Sequence, residues 1–221
     1  MTQLIRRSYS QSQSISPLYL PTIPAPTPSD ATRRRIVDRK TDYVISYSHR
    51  HHMYADLYRR LAAANRREIG YTLDAFTKGT ALFSAFEVKP ACGDHTEAEL
   101  QMSLAVAADI RKKQSLAHEA RVVLEPATMV EPSFTIVGHE HSLYYSYPRP
   151  ELLSNQDGIH VLGPDLDRFG RLSTDSIRGV FQLLRVYGNI LEYGADDRKT
   201  GYWGRVLGPV LEKLASNPDA Q

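Results

Sequence analysis

Two acidic side chains and one lysine stand at the ends of apolar segments of this sequence. Asp42 precedes the apolar run at 43–45, and Glu87 and Lys89 follow the run at 82–86. Because side chains alternate across a strand, Glu87 and Lys89 project from the same face. Burying such charges is unfavourable unless they are paired, hydrated or bound to an ion. Two carboxylates can hold a hard divalent cation through oxygen, and a lysine beside them can orient a water molecule.

A glutamine on the next predicted helix is a further candidate. Glu97 and Gln101 lie one helical turn apart, so their side chains project together. If this helix begins near Lys89, the two side chains point toward the ends of the strands. From the residues alone, Gln101 fits a site and a solvent-exposed surface equally well.

Histidines cluster at two places, and neither has the spacing of a zinc site. His49, His51 and His52 precede a predicted helix, and no third ligand accompanies the pair that can share a helix face. We interpret them as surface residues at a helix start. His139 and His141 follow a glycine, which favours a hairpin turn. The functions of these five histidines stay open.

The composition is that of a soluble globular protein, with 42% hydrophobic and 24% charged residues. A formal net charge of +2 selects neither nucleic acid nor a membrane as a partner. The single cysteine, Cys92, excludes an internal disulfide and favours a reducing compartment. No apolar run approaches the roughly 18–20 residues of a membrane span. We therefore expect a soluble intracellular protein, cytoplasmic or nuclear.

The first thirty residues differ in composition from the rest of the chain. They are rich in Ser, Gln and Pro, and their first acid is Asp30. Such a segment predicts an extended or disordered arm over 1–30, a domain over 31–215 and a short tail over 216–221. The arginines and missing acids also fit a mitochondrial transit peptide, although the prolines oppose the helix that such a peptide needs. The run Arg33-Arg34-Arg35 fits phosphate contact and a solvated lead-in equally well.

Hydrophobic periodicity predicts alternating strands and helices. The predicted strands lie at 41–47, 71–76, 82–90, 120–124, 133–137, 142–147 and 158–162, the later ones as an antiparallel meander. The predicted helices lie at 54–67, 97–118, 174–191 and 203–214. Thr96 and Glu99 form a possible capping box for the second helix. Its packing side is predicted to contain Leu100, Leu104, Ala107 and Ala108.

Three segments in this order resemble the PD-(D/E)XK nuclease-like domain found in many fungal proteins. They are Asp38-Arg39-Lys40-Thr41-Asp42-Tyr43-Val44-Ile45, Phe86-Glu87-Val88-Lys89 and Glu97-Ala98-Glu99-Leu100-Gln101. The resemblance covers roughly residues 33–215. The proline of the family name is Thr41 here, a change that the family tolerates. The 45 positions between Asp42 and Glu87 require the histidine-rich helical segment to form an excursion.

The resemblance implies an α/β (α+β) domain of the restriction-endonuclease-like type, in which helices flank a mixed central sheet. It implies that Asp42 and Glu87, helped by the Val88 carbonyl, ligate Mg²⁺ or Mn²⁺. Lys89 then positions or deprotonates the attacking water, and Gln101 supports it from the adjoining helix. The implied activity is hydrolysis of phosphodiester bonds in nucleic acid, a chemistry that these residue types suit.

Two other functions stay open at this point. The chain has 13 tyrosines, several of them near the candidate acids in sequence, such as Tyr43, Tyr47, Tyr54 and Tyr58. A pocket lined by tyrosine and histidine suits acid–base work on a small-molecule substrate, such as a cyclisation or isomerisation in secondary metabolism. The other possibility is a non-catalytic binding module in which Glu87 and Lys89 only pair with each other.

Overall fold

The computed structural model describes residues 13–21, 40–149, 158–164, 172–198 and 200–216. Its strands are β1 Gln13–Ser14, β2 Lys40–Thr41, β3 Tyr43–Ser46, β4 Leu82–Lys89, β5 Glu131–Val137, β6 Glu140–Pro148, β7 Ile159–Leu162 and β8 Leu172–Ser173. Its longer helices are α1 His52–Ala63, α2 His95–Ala120, α3 Ile177–Ala195 and α4 Gly208–Ser216. A wider helical turn of the π type, Trp203–Leu207, leads directly into α4.

A mixed sheet forms the centre of the described part of the chain. Its strand order is β3-β4-β5-β6-β7, and β8 pairs with a further part of β6. β4 and β5 are parallel, whereas the other neighbours in this sheet are antiparallel. The parallel pair needs a long crossover, and the 26-residue helix α2 supplies it. A mixed central sheet flanked by helices confirms the predicted fold class.

Helices cover the two faces of this sheet. On one face Ala85 of β4 packs with Ala105 and Ala108 of α2. On the opposite face the ring of Phe86 lies 5.9 Å from the ring of Tyr187 in α3. The small alanine side chains let α2 lie close to the strands, and the aromatic rings fill the wider space under α3. None of the helices within the described ranges is long and apolar enough to cross a membrane.

Part of the predicted N-terminal arm is packed against the domain. Residues 13–14 form β1, which pairs antiparallel with β2. Ile15 is buried with Tyr71, and the Arg111 guanidinium donates a hydrogen bond of 2.9 Å to the Tyr19 carbonyl. Residues 13–21 thus contribute strand pairing and apolar contacts to the domain, although their Ser- and Pro-rich composition predicted an extended or disordered arm. The rest of the predicted arm lies outside the described residues, as do residues 217–221 of the predicted tail.

Two predicted strands are absent from the described residues. The segment 120–124 is not a strand, because α2 continues through Ala120 and ends at Arg121 in the left-handed conformation, with φ 55°. The segment 71–76 makes a single bridge, between Thr72 and Ile15, and then turns. Its backbone hydrogen bonds with Ser14 and Ser16 are confined to residues 71–73, so no longer ladder forms there.

Two helix details also differ from the prediction. α1 ends at Ala63 rather than at 67, since Asn65 takes a positive φ of 57°. In α2 the buried side contains Ala98, Met102 and Ala105, whereas Leu100 is half-exposed. The predicted packing side was wrong at Leu100 because the alanines on nearly every side of the helix hid its true orientation. The hairpin predicted at His139 is confirmed by the tight turn between β5 and β6.

Candidate active site

Asp42 occupies the bend between β2 and β3, at the end of the central sheet. The ladder between β3 and β4 reaches as far as the pair Tyr43–Phe86. Beyond this pair β3 no longer lies beside β4, and the Val88 amide donates its hydrogen bond to the Asp42 Oδ2 atom at 2.9 Å. The Asp42 side chain therefore accepts the hydrogen bond that a backbone carbonyl of a longer β3 would accept. This bond fixes the carboxylate against the strand that carries Glu87 and Lys89.

Glu87 is a buried carboxyl group beside Asp42. Its residue is only 3% exposed, and it faces α2 from the middle of the sheet end. Burial, followed by the charge of Asp42 and a hydrogen bond with it, raises the pKa of Glu87 to about 7. Two neighbouring carboxylates repel each other when both are ionised. A proton or a cation between them relieves that repulsion.

The Lys89 ammonium contacts three polar side chains, one on β4 and two on α2. Its Nζ lies 3.2 Å from Glu87 Oε1 and 2.6 Å from Gln101 Oε1, with Glu97 Oε1 at 3.5 Å. Burial lowers the pKa of Lys89, but the hydrogen bonds and charges of Glu87 and Glu97 outweigh it and the net shift is upward. Lys89 is therefore an ammonium group held in place by three acceptors.

The first turns of α2 position Gln101 and Glu97. The Asp94 carboxylate caps this helix by accepting hydrogen bonds from the amides of Thr96 and Glu97, so the predicted capping box of Thr96 and Glu99 is not the one formed. Gln101 Nε2 donates to Glu97 Oε1 at 2.9 Å, and its oxygen is left to accept from the lysine.

Gln101, which the sequence left between site and surface, thus contacts Lys89. Glu97 is a site residue that the sequence analysis did not select. Its spacing of one turn from Gln101 was the available signal.

The donor set suits a hard cation with a water-rich coordination shell. Asp42 and Glu87 supply carboxylate oxygens, and the Val88 carbonyl faces the same side as its amide, because the N–H and C=O of a strand residue point together. Mg²⁺ keeps several waters, so two carboxylates and a carbonyl fit it. Across the described ranges no group of three His, Cys, Asp or Glu side chains could hold a metal ion. A zinc-type cage, which needs more protein ligands, does not fit here.

The described histidines have structural contacts away from the two acids. His49 stacks on Tyr58 with ring centres 3.9 Å apart, and its Nε2 lies 2.7 Å from Thr80 Oγ1. His51 caps α1 by accepting from the Met53 amide, and it is buried rather than on the surface. His141 Nδ1 lies 2.7 Å from the Tyr187 hydroxyl. The prediction of surface histidines at the start of α1 is therefore confirmed for His52, which is exposed, and wrong for His51.

A second group of charges is fully buried, and the sequence analysis overlooked it. Lys113 Nζ lies 3.0 Å from Asp109 Oδ2 and 2.5 Å from Glu131 Oε1, and all three side chains are at most 6% exposed. Asp109 and Lys113 are one turn apart on α2, a spacing that also occurs on solvated helix faces. Only the alanines around Asp109 indicated that this turn is buried.

Comparison with known proteins identifies one match. A family model described as the PD-(D/E)XK nuclease superfamily matches residues 2–203. No curated protein and no solved structure matches the chain significantly. The match spans most of the chain, including β3, β4 and the first turns of α2, the elements that carry the polar groups described above.

Proposed function

The chain belongs to the PD-(D/E)XK nuclease superfamily, and from this membership we propose that it is a metal-dependent phosphodiesterase that cleaves nucleic acid. One observation carries the proposal. The carboxyl groups of Asp42 and Glu87 face each other at the end of the sheet, and the Lys89 ammonium contacts Glu87. Asp42 and Glu87 are 45 positions apart in the sequence, and the pairing of β3 with β4 brings them together.

Asp42, Glu87 and the Val88 carbonyl would hold the metal, Mg²⁺ or Mn²⁺. When bound, such an ion neutralises charge on phosphoryl oxygens and lowers the pKa of a water ligand. The Val88 amide holds Asp42 in the orientation that this requires, through the bond of 2.9 Å. Burial and the charge of Asp42 raise the pKa of Glu87, so binding of a cation by this carboxyl group would release its proton.

Lys89 acts as a positioning cation in this mechanism. Its pKa is raised by Glu87 and Glu97, which disfavours loss of its proton and hence a role as general base. The ammonium instead orients the attacking water and stabilises the negative charge that develops on the phosphoryl oxygens. Gln101 accepts a hydrogen bond from this ammonium at 2.6 Å and so keeps it directed toward Glu87.

The test is cleavage of plasmid DNA and single-stranded RNA with Mg²⁺ or Mn²⁺. We expect Asp42→Asn and Glu87→Gln to lower the cleavage rate at least 100-fold and a chelator to abolish it. Glu99→Gln is the matched control, since it removes an exposed acid from the same helix end, and it should keep the wild-type rate. Equal rates in wild type and Glu87→Gln would refute the proposal.

A second candidate function is acid–base catalysis on a small molecule. It is favoured by the buried Glu87 carboxyl, whose pKa of about 7 lies near the optimum for a group that both gives and takes protons at neutral pH. The two functions respond differently to metal. Calorimetry with Mn²⁺ should show binding that Glu87→Gln removes if the phosphodiesterase proposal holds, and no binding if the small-molecule function holds.

A further inference from the structure

The strand that carries Glu87 contains one residue more than its neighbour. β3 and β4 pair as Val44–Ala85 on one side of Ser84 and as Ile45–Phe83 on the other, so Ser84 has no partner in β3. Its φ is 64°, in the left-handed region that a residue with a side chain rarely adopts. Ser84 is therefore a β-bulge, an inserted residue that bends and twists the strand locally.

The bulge changes which face the following residues occupy. Phe83 and Phe86 both face α3, where their rings lie near Tyr193 and Tyr187 respectively. In a regular strand two residues three positions apart point to opposite faces. One residue of the segment is thus taken out of the alternation, and Ser84 is that residue.

The change of face decides where the candidate catalytic residues point. After the bulge Ala85 faces α2, and by alternation so do Glu87 and Lys89. The contact between Lys89 and Gln101 of α2 agrees with this orientation. Without the extra residue the register set by Phe83 would turn Glu87 and Lys89 toward α3, away from Gln101.

The buried charges hold the bulge in place. The Ser84 amide, which has no ladder partner, donates to Glu131 Oε1 at 3.2 Å. The same oxygen accepts from Lys113, which also contacts Asp109. Glu131 is fully buried at the start of β5, so its carboxylate is fixed by the sheet.

The charge balance of this cluster is compatible with burial. Burial, followed by the charge of Glu131, raises the pKa of Asp109 well above its ordinary value. Burial lowers the pKa of Lys113, but the neighbouring carboxylates outweigh it and the net shift is upward. The lysine therefore remains charged, and it contacts both buried carboxyl groups.

We propose that Glu131 and Lys113 are positioning residues for the candidate site. They stabilise the Ser84 bulge, and the bulge shifts the alternation of side chains along β4. This shift turns Glu87 and Lys89 toward α2 and directs the Val88 amide to Asp42. The inference rests on the proposed function for its catalytic meaning. Its structural content, the dependence of the bond between Val88 and Asp42 on the bulge, can be tested without any metal.

The test compares two substitutions at Ser84. Ser84→Gly suits a positive φ, whereas Ser84→Val opposes it because β-branched residues very rarely adopt a positive φ. We expect Ser84→Gly to keep the wild-type exchange rate of the Val88 amide and the wild-type Mn²⁺ affinity. We expect Ser84→Val to exchange the Val88 amide at least tenfold faster and to bind Mn²⁺ at least tenfold more weakly. Ser133→Val, at an equally buried site on β5, controls for the added volume.

A second pair of variants tests the buried acid. Glu131→Gln keeps an acceptor oxygen for the Ser84 amide, and Glu131→Leu removes it. We expect the Val88 exchange rate to stay within threefold of wild type in the first and to rise at least tenfold in the second. If Glu131→Leu does not fold, the Ser84 pair decides the question.

The outcomes separate this inference from the proposed function. A folded Ser84→Val protein with wild-type Val88 exchange and wild-type Mn²⁺ affinity overturns the inference. If the wild type binds no Mn²⁺ while Ser84→Val still speeds Val88 exchange, the proposed function fails and the positioning of Asp42 by the bulge stands.

Discussion

At the scale of single residues, Asp42 and Glu87 are the two acids of the candidate site. Both carboxyls sit where an apolar strand ends, and one of them is almost fully buried. A buried acid beside another acid is destabilising unless a proton or a cation compensates for it. The repulsion between the ionised Asp42 and Glu87 carboxylates therefore destabilises the fold at this position, and a bound cation would offset it.

This instability predicts a pH dependence of folding. The pKa of Glu87 is about 7 in the folded protein, against about 4.3 for an ordinary glutamate. The folded state thus holds the proton more tightly, and stability falls as the pH rises from about 4.3 through 7. Unfolding by urea with a chelator present should show wild type losing roughly 2 kcal/mol more than Glu87→Gln between pH 5 and pH 8. Parallel curves for the two proteins would contradict this prediction.

At the scale of elements, α2 connects the two polar clusters. Its first turns present Glu97 and Gln101 to Lys89, and its later turns present Asp109 and Lys113 to Glu131. The twelve steps from Gln101 to Lys113 along α2 span about 18 Å, and the five steps from Ser84 to Lys89 along β4 span about 16 Å. The two polar clusters are therefore about equally far apart on α2 and on β4. A single helix contacts both the candidate site and the cluster that binds the Ser84 bulge.

The N-terminal cap of α2 is a testable part of this support. The Asp94 carboxylate accepts from the amides of Thr96 and Glu97, so Asp94→Ala should lower the free energy of unfolding by about 1 kcal/mol. Thr96→Ala is the control, because the Thr96 side chain does not cap the helix, and it should change stability by less than about 0.5 kcal/mol. Chemical denaturation at pH 7 measures both. A larger loss in Thr96→Ala would show that the predicted capping box operates in solution.

Two glycines of α3 have opposite surroundings. A Cβ atom at Gly194 would lie 2.5 Å from the Phe83 ring, whereas one at Gly188 would meet nothing within 4 Å. Gly194→Ala should therefore destabilise the protein by about 1–3 kcal/mol through overpacking. Gly188→Ala should stabilise it by about 0.5–1 kcal/mol, since alanine is the better helix former. The same sign of change in both variants, measured by thermal unfolding, would contradict the packing of α3 on β4.

At the scale of the whole molecule, the N-terminal segment belongs to the folded unit. Residues 13–14 pair with β2, and the Tyr19 carbonyl accepts a hydrogen bond from Arg111 of α2. The Tyr47 hydroxyl, just after β3, donates to the Gly194 carbonyl of α3 at 2.7 Å. The core therefore joins segments from nearly the full length of the chain. Such contacts, distant in sequence, have a high entropic cost of closure and are stable only together.

Ile15 and Leu18 test this role of the N-terminal segment. Ile15 is 2% exposed and Leu18 is 84% exposed, within the same short stretch. Ile15→Ala should cost about 2–4 kcal/mol in the free energy of unfolding, because it empties a packed space. Leu18→Ala should change it by less than about 0.5 kcal/mol. If denaturation shows the two variants to be equally stable, residues 13–21 do not pack in solution as they do in the structure.

The sequence was enough to select three charged residues of the candidate site. The charges of Asp42, Glu87 and Lys89 interrupt apolar runs, and charge in such a place has few purely structural explanations. The register of Asp42 against Val88 was not predictable, since it depends on a bulge at a serine that looks like any other strand residue. Nor was Asp94 distinguishable from Thr96 as the helix cap, because both are good capping residues.

The sequence by itself determined the class of fold and the residue types at the candidate site. Hydrophobic periodicity is local, and it indicated most of the strands and helices and the charged side chains that interrupt them. The tertiary structure alone decided that the face with Glu87 and Lys89 turns toward α2 and not toward α3. One inserted residue and a buried ion pair set that orientation through contacts between β4, α2 and β5, and no local pattern records such contacts.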